Sequence, residues 1–350
     1  MLAGGPPGVM TTVLVTGGAG FIGSHVCLAL ISAGFAPVVV DNLCNAKRSV
    51  LPRLRARAGW DIPFYEVDIR DGAALERVFA AVQPVAVLHF AGLKAVGESL
   101  TQPGRYYDNN VHGSLQLLGA MANAGCDTLV FSSSATIYGE PSELPLRETA
   151  RTGPTNPYGR SKKMVEDILE DHYAASPDRW RIARMRYFNP VGADCSGTLG
   201  EDPGDAPNNL VPLVCRAAAG LIPELVVFGG DYPTPDGTGV RDYIHVSDLA
   251  DGHVAALRAL QRGPGLSTVN LGTGRGYSVL EVIRTFERET GVRVPYRVAS
   301  RRGGDVALCW ADATAMREWT GWQARRDLAE MLRDAWRWQC WARDNPGLTQ

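Results

Sequence analysis

Short apolar runs recur through the first half of the chain, at residues 13–16, 38–41, 64–67, 85–89, 129–132 and 182–186. Continuous apolar runs too short for a helix read as strands buried on both faces. Between them the apolar positions switch to helical spacing, as over 73–81 and 114–123. This alternation predicts an α/β fold, a doubly wound parallel sheet that gathers ligands at the carboxyl ends of its strands. Residues 68, 90–94 and 132–134 follow such strands and become candidates for chemistry.

The texture changes after residue 186. Residues 189–239 are rich in Gly, Pro, Asn and Asp and hold one clear helix, 210–219, so they read as loops serving a polar ligand. Regular structure returns with a helix over 246–260, a strand over 268–271 and a helix over 278–290. The pattern predicts a nucleotide-binding domain over 11–188 and a smaller, interlaced carboxyl-terminal substrate lobe over 189–350. Segments around 240–275 are expected to return to the first domain. Residues 1–10 are rich in Gly and Pro, lack the basic region and apolar core of a signal peptide, and read as a disordered tail. Six of the eight tryptophans fall between Trp310 and Trp341. Leu328, Met331, Leu332, Ala335, Trp336 and Trp338 share one face of a terminal helix, which favours packing over a carbohydrate-stacking surface.

Composition narrows the class. The chain has 350 residues, 45% of them hydrophobic, and a net charge of −2. No basic run points to nucleic acid, and no apolar stretch reaches the ~20 residues of a membrane span. Seven scattered cysteines without a C-x-x-C pair point to reduced thiols in the cytoplasm, and to neither a metal site nor a disulfide framework.

Thr16-Gly17-Gly18-Ala19-Gly20-Phe21-Ile22-Gly23 separates the first strand from a helix, and the second strand ends on Asp41. Gly17 permits the sharp turn, Gly20 lets the backbone approach a pyrophosphate, and Gly23 lets the helix pack on the sheet. The N–H groups opening the helix at Phe21 and Ile22 suit a phosphate. Asp41 can accept both ribose hydroxyls and repels a 2′-phosphate, which favours NAD over NADP. Glycine triplets also occur in ordinary turns. The flanking strand, helix and acid turn this one into a Rossmann-type dinucleotide site.

Tyr158-Gly159-Arg160-Ser161-Lys162 puts a phenol and an ammonium on one helix face. The ammonium is expected to lower the phenol pKa, giving a general base for a sugar or alcohol hydroxyl. Y-x-x-x-K alone is unspecific and gains meaning beside a nicotinamide site. Ser134, at the fifth strand's end, can hydrogen-bond the same oxygen or merely cap a turn.

These motifs, with the Ser-Ser-Ser-Ala-Thr-Ile-Tyr-Gly run from Ser132 to Gly139, resemble the extended short-chain dehydrogenase/reductase superfamily. His89-Phe90-Ala91-Gly92-Leu93-Lys94, Arg186-Tyr187-Phe188-Asn189-Pro190 and Gly239-Val240-Arg241-Asp242-Tyr243 narrow the resemblance to the UDP-glucose 4-epimerase family, over nearly the whole chain. The resemblance implies NAD as a prosthetic group and inversion at C4 of a UDP-sugar through a transient 4-keto sugar. Tyr158 would take the 4-hydroxyl proton, Lys162 tune it and contact the nicotinamide ribose, and Ser134 assist at O4. Asn42, Asn45, Asp68, Ile69, Phe90, Ala91, Lys94 and Asn109 would join Asp41 around the cofactor, with Phe188 closing its nicotinamide end. Asn189, Asn208, Asn209, Leu210 and Phe228 would hold the sugar nucleotide, Arg241 and Arg302 its diphosphate, and Asp305 the uridine ribose. A homodimer built from helices 97–123 and 156–175 is the matching family-level expectation.

Dehydratases of the same superfamily need an Asp-Glu pair where this chain has Ala135 and Thr136, which disfavours dehydration. The same positions count against uronic-acid decarboxylases. UDP-pentose and UDP-uronate 4-epimerases stay open, because hydride chemistry at C4 does not depend on C6. A non-catalytic NAD-sensing regulator is opposed by the presence of both Tyr158 and Lys162. Cys309 occupies the position that, by the resemblance, flanks the sugar 2-substituent. Its small side chain predicts that UDP-GlcNAc and UDP-GalNAc also fit, against the alternative of a cysteine filling core space.

Overall fold

A computed structural model describes residues 10–204 and 207–349. The tail expected over 1–10 lies outside the described residues apart from Met10. The chain runs β1 (Thr11–Thr16), α1 (Phe21–Ser32), β2 (Phe35–Asp41), α2 (Val50–Ala58), β3 (Phe64–Glu66), α3 (Gly72–Val82) and β4 (Ala86–His89). A broken helical stretch follows as α4 (Val96–Thr101), α5 (Pro103–Tyr106), a π-turn over Tyr107–His112 and α6 (Gly113–Ala124). Next come β5 (Thr128–Ser134), α7 (Pro157–Ala175), β6 (Arg181–Tyr187), β7 (Asn189–Val191), α8 (Leu210–Ala218), β8 (Leu225–Phe228) and β9 (Val240–His245). The remainder is α9 (Val246–Leu260), β10 (Gly265–Leu271), β11 (Gly276–Ser278), α10 (Val279–Thr290), β12 (Tyr296–Ala299), β13 (Leu308–Cys309), α11 (Thr314–Thr320) and α12 (Leu328–Asp344).

Seven strands form one parallel sheet in the order β10-β6-β5-β4-β1-β2-β3. Strand order reverses between β1 and β4, the crevice where α/β sheets bind ligands. Helices α1, α2 and α9 cover one face, around Val26, Leu30, Leu54 and Leu257. Helices α3, α6 and α7 cover the other, around Leu75, Phe79, Leu117 and Leu169. Burial on both faces explains the uninterrupted apolar strands, each fully buried Leu or Phe contributing about 1.5–3 kcal/mol. A separate apolar cluster joins α8, α10 and α12 to β8, β9 and β11. From this second half, β10 pairs with β6 and α9 packs on α1.

Three local readings change. The helix expected over 97–123 is interrupted, because Pro103 lacks an N–H and pushes Gln102 out of the helical region. The π-turn that follows buries Asn109 and Asn110. Residues 189–239 are not loops alone: β7 pairs with β9 and β8 with β12, strands too short to show a period in sequence. The fifth strand continues through Ser134, which pairs with Tyr187 across the sheet.

The terminal helix packs as expected. Leu328, Met331, Leu332, Ala335 and Trp338 are buried, and Trp336 meets Phe286 edge-on at 5.5 Å between ring centroids. Trp338 stacks on Trp341, and the Arg53 guanidinium of α2 lies 5.0 Å over the Trp338 ring, tying α12 to the first half of the chain.

Helix α7, which carries Tyr158 and Lys162, is fastened to β6 by a buried ion pair. Arg186 Nε donates to Glu166 Oε1 at 2.9 Å and Nη2 to Oε2 at 2.6 Å, while Ser133 Oγ donates to Oε1 at 2.5 Å. Glu166→Ala would strand the guanidinium in the core, and the expected loss is about 3–5 kcal/mol. Urea unfolding measures it; a loss under about 1 kcal/mol would mean that Arg186 re-pairs with Tyr138 and the Glu148 carbonyl, which it already meets.

Candidate active site

The β1–α1 turn is built by backbone contact. Gly17 has φ +70°, and a Cβ there would lie 2.6 Å from Ala91 N. A Cβ at Gly23 would lie 2.3 Å from Gly17 O, so only glycine lets α1 start this close to the turn. Gly20 differs. Its φ is −73°, and the nearest atom to a Cβ there is Gly17 O at 3.2 Å. A Cβ at Gly20 would press on that one backbone atom and otherwise face the open cavity beside it.

That cavity is lined by Gly17, Gly20, Phe21, Asp41, Asn42, Asn45, Ile69, Phe90, Ala91, Lys94 and Asn109. Asp41 is buried and accepts from Ala19 N at 3.1 Å and Leu43 N at 2.9 Å, one bond per oxygen, which leaves each oxygen free to accept another. Burial pushes its pKa up, against the pull of those two bonds. Open helix N–H groups, a bare glycine backbone and a two-oxygen acceptor fit the pyrophosphate and ribose of NAD.

The other expected cofactor residues sit around this cavity. Ile22 and Gly23 lie behind it, in the packing of α1. Asp68 is held by Arg70 through its Nε, Nη2 and backbone N, and accepts from Asn42 Nδ2 at 2.9 Å. The Arg70 guanidinium keeps its carboxyl far below the usual range, and Asp68 orients Asn42, which lines the cavity. Phe188 lines the next cavity along, with Ser134.

Tyr158 and Lys162 are buried side by side on α7. Lys162 Nζ donates to Ser132 O at 2.7 Å and lies 5.0 Å over the Phe131 ring. Burial lowers its pKa to about 8, and the nearby Glu166 carboxylate opposes that drop. A Cβ on Gly92, which lines the cofactor cavity, would come 3.5 Å from this ammonium, so Lys162 sits just behind the cavity floor. The phenol departs from expectation. Burial raises the Tyr158 pKa, the Ser134 hydroxyl works the other way, and the Lys162 ammonium is engaged on the Ser132 carbonyl. In the protein alone desolvation is the larger influence on this phenol.

Two adjoining cavities bring together every expected substrate residue. Asn189, Asn208, Asn209, Arg241, Arg302 and Asp305 line both. Leu210 and Phe228 belong to the distal one, Ser134 and Cys309 to the one nearer Tyr187 and Phe188. Arg302 pairs with Asp305 at 2.9 Å and lies 5.7 Å over the Phe228 ring. Cys309 sits on β13 in register with Arg241, and burial pushes its thiol up to about 11. No tryptophan among the described residues lines these two cavities.

Sequence reasoning passed over four residues. Tyr187 lines the sugar-side cavity and hydrogen-bonds Ser132 Oγ; its place at the end of β6, opposite Ser134, was the available signal. Thr136 Oγ1 donates to Ser134 Oγ at 2.9 Å and orients that hydroxyl. Gly92 lines the cofactor cavity in front of Lys162. Asn110 binds both Leu93 N and Leu93 O and donates to Ser161 Oγ at 2.9 Å, tying the loop after β4 to α7. Nothing local marks Asn110, because the π-turn that aims it is a tertiary outcome.

Residues 13–272 match the profile of the NAD dependent epimerase/dehydratase family. The chain belongs to that family. UDP-glucose 4-epimerase from Neisseria gonorrhoeae is 53% identical over 337 residues, 96% of this chain and 98% of that protein. The crystal structure of UDP-glucose-4-epimerase from Stenotrophomonas maltophila, with bound NAD and formylated UDP-arabinopyranose, superposes with a TM-score of 0.93 at 51% identity, covering 95% and 99% of the two chains. The Bifidobacterium longum UDP-glucose 4-epimerase in complex with NAD+ and UDP gives 0.92 at 49% identity, covering 96% and 99%. Within the epimerase/dehydratase family, a short 3-10 turn after Ser134 places Ala135 and Thr136 in the sugar-side cavity, and neither residue can exchange a proton near neutral pH.

Stability and cofactor binding are separable at Gly20. Gly20→Ala is expected to cost about 1 kcal/mol or less in stability yet to deplete NAD from the purified protein. Thermal melts and nucleotide release after acid quenching measure the two effects. A variant that keeps its NAD would show that backbone approach at Gly20 is not used.

Proposed function

We propose that the chain is an NAD-dependent 4-epimerase that interconverts UDP-glucose and UDP-galactose. The carrying observation is that Ser134 lines the sugar-side cavity and its hydroxyl acts on the phenol of Tyr158, which is buried beside Lys162 on α7, without an acid/base pair at 135 and 136. Bound NAD supplies a hydride acceptor and donor at C4. The chain supplies the rest. Tyr158 takes the 4-hydroxyl proton and returns it, and Ser134, oriented by Thr136, hydrogen-bonds O4. Lys162 places a positive charge behind the cofactor cavity floor and favours the phenolate. Arg241 and Arg302 grip the diphosphate with planar forks, which leaves the 4-keto sugar free to turn its other face before hydride returns.

We extend the reading to UDP-GlcNAc and UDP-GalNAc, because Cys309 gives the sugar-side cavity a small wall. A UDP-pentose specificity is the second reading, favoured by the sugar bound in the Stenotrophomonas maltophila structure. We also propose a cytoplasmic homodimer. No described helix is long and apolar enough to cross a membrane. Helices α4, α6 and α7 expose Val96, Leu100, Leu115 and Met164, an apolar face suited to a second copy.

Proton NMR of the purified protein without added NAD is expected to show conversion of UDP-galactose. Tyr158→Phe should lower the rate at least about hundredfold with NAD still bound; an active variant would remove Tyr158 as the base. Cys309→Tyr should abolish UDP-GalNAc turnover and spare UDP-galactose. Equal rates for both sugars in that variant would refute the steric reading.

A further inference from the structure

Glu201 lines the cofactor cavity and bonds two residues that line the substrate cavities. Its Oε1 accepts from the Lys94 ammonium at 2.9 Å and from the Asn209 side-chain amide at 2.8 Å. Lys94 lines both the cofactor cavity and the sugar-side cavity, and Asn209 lines both substrate cavities. The Glu201 backbone carbonyl accepts the Trp338 indole N–H at 3.1 Å, so the terminal helix anchors the segment. Next to it, Asp202 is held by Lys47 at 2.8 Å and Arg53 at 3.0 Å. The acceptor is therefore mounted on a fixed backbone, with its side chain only 9% exposed.

Resting on the function proposed above, we infer that Glu201 is a positioning residue that presets Lys94 and Asn209 for both ligands at once. An ammonium has three donors, and the bond to Glu201 leaves two of them for cofactor and sugar nucleotide. The Lys94 side chain is 44% exposed on a four-carbon stem, and without its acceptor it disperses over rotamers that ligand binding must reorder. Asn209 stands at the N-cap position of α8 without a side-chain capping bond, its Nδ2 donating instead to Glu201. Charge alone argues the other way, since a carboxylate repels the diphosphates of both ligands. Glutamine separates the two effects: its carbonyl accepts both hydrogen bonds and carries no charge.

The test compares wild type, Glu201→Gln and Glu201→Ala for NAD content after gel filtration, and for KM and kcat with UDP-galactose at saturating NAD. Glu201→Ala is expected to lose at least half its NAD and to raise KM at least fivefold with kcat within twofold. Glu201→Gln should stay within twofold of wild type in all three. A Glu201→Ala protein that matches wild type overturns the inference, as does a Glu201→Gln protein as impaired as Glu201→Ala. Should Glu201→Ala not fold, Glu201→Leu removes the acceptor while keeping bulk. If the functional reading itself is wrong, wild type retains NAD yet converts no UDP-galactose, and NAD content still reports on Lys94.

Discussion

Backbone meeting backbone at the β1–α1 turn sets the rest of the site. The atoms that exclude a side chain at Gly17 and Gly23 belong to the main chain of Ala91 and Gly17, so no rotamer can yield to relieve a clash. The start of α1 is thereby fixed against the loop after β4, on the two strands that flank the switch in strand order. From that loop the order propagates. Leu93 is held by Asn110, Asn110 by Ser161, and Ser161 immediately precedes Lys162 on α7. A continuous set of packed and hydrogen-bonded groups runs from the dinucleotide turn to the lysine of the reacting pair.

The electrostatics of the pair are set by burial more than by proximity. His89, beside Lys162, is held neutral by burial and by that ammonium, its pKa lowered to about 3, and it bonds Thr16 Oγ1 at 2.7 Å and Ser114 Oγ at 3.0 Å. Glu166 lies close enough to support the charge of Lys162, but both its oxygens are committed to Arg186. The lysine thus remains a cation at neutral pH without a carboxylate bonded to it. Such a charge stays available to stabilise negative charge that develops on a nearby oxygen.

Much of this architecture is legible in the amino-acid sequence. The parallel sheet follows from strands whose apolar runs are unbroken, and the cofactor cavity from glycines tied to a strand, a helix and Asp41. The substrate residues come from resemblance, not periodicity, and they converge because distant loops fold onto one crevice. What escapes the sequence has no local mark. The upward push of burial on the Tyr158 pKa depends on depth, and depth is tertiary. Strands β7 and β8 are too short to show alternation and exist because β9 and β12 offer them edges. Pro103 does announce the break in the helix before α6, and weighing it against the apolar spacing would end that helix at Gln102.

The path of the chain after β6 limits how such a protein can be re-engineered. It leaves the large sheet for β7, α8, β8 and β9, comes back as α9 and β10, and departs again for β11 and the terminal helix. The two halves are woven together, so no single cut separates the second half from the dinucleotide half. Changes of specificity in this architecture must come by replacing individual wall residues in place. Exchange of whole lobes, open to chains whose lobes are joined by one linker, is closed to it.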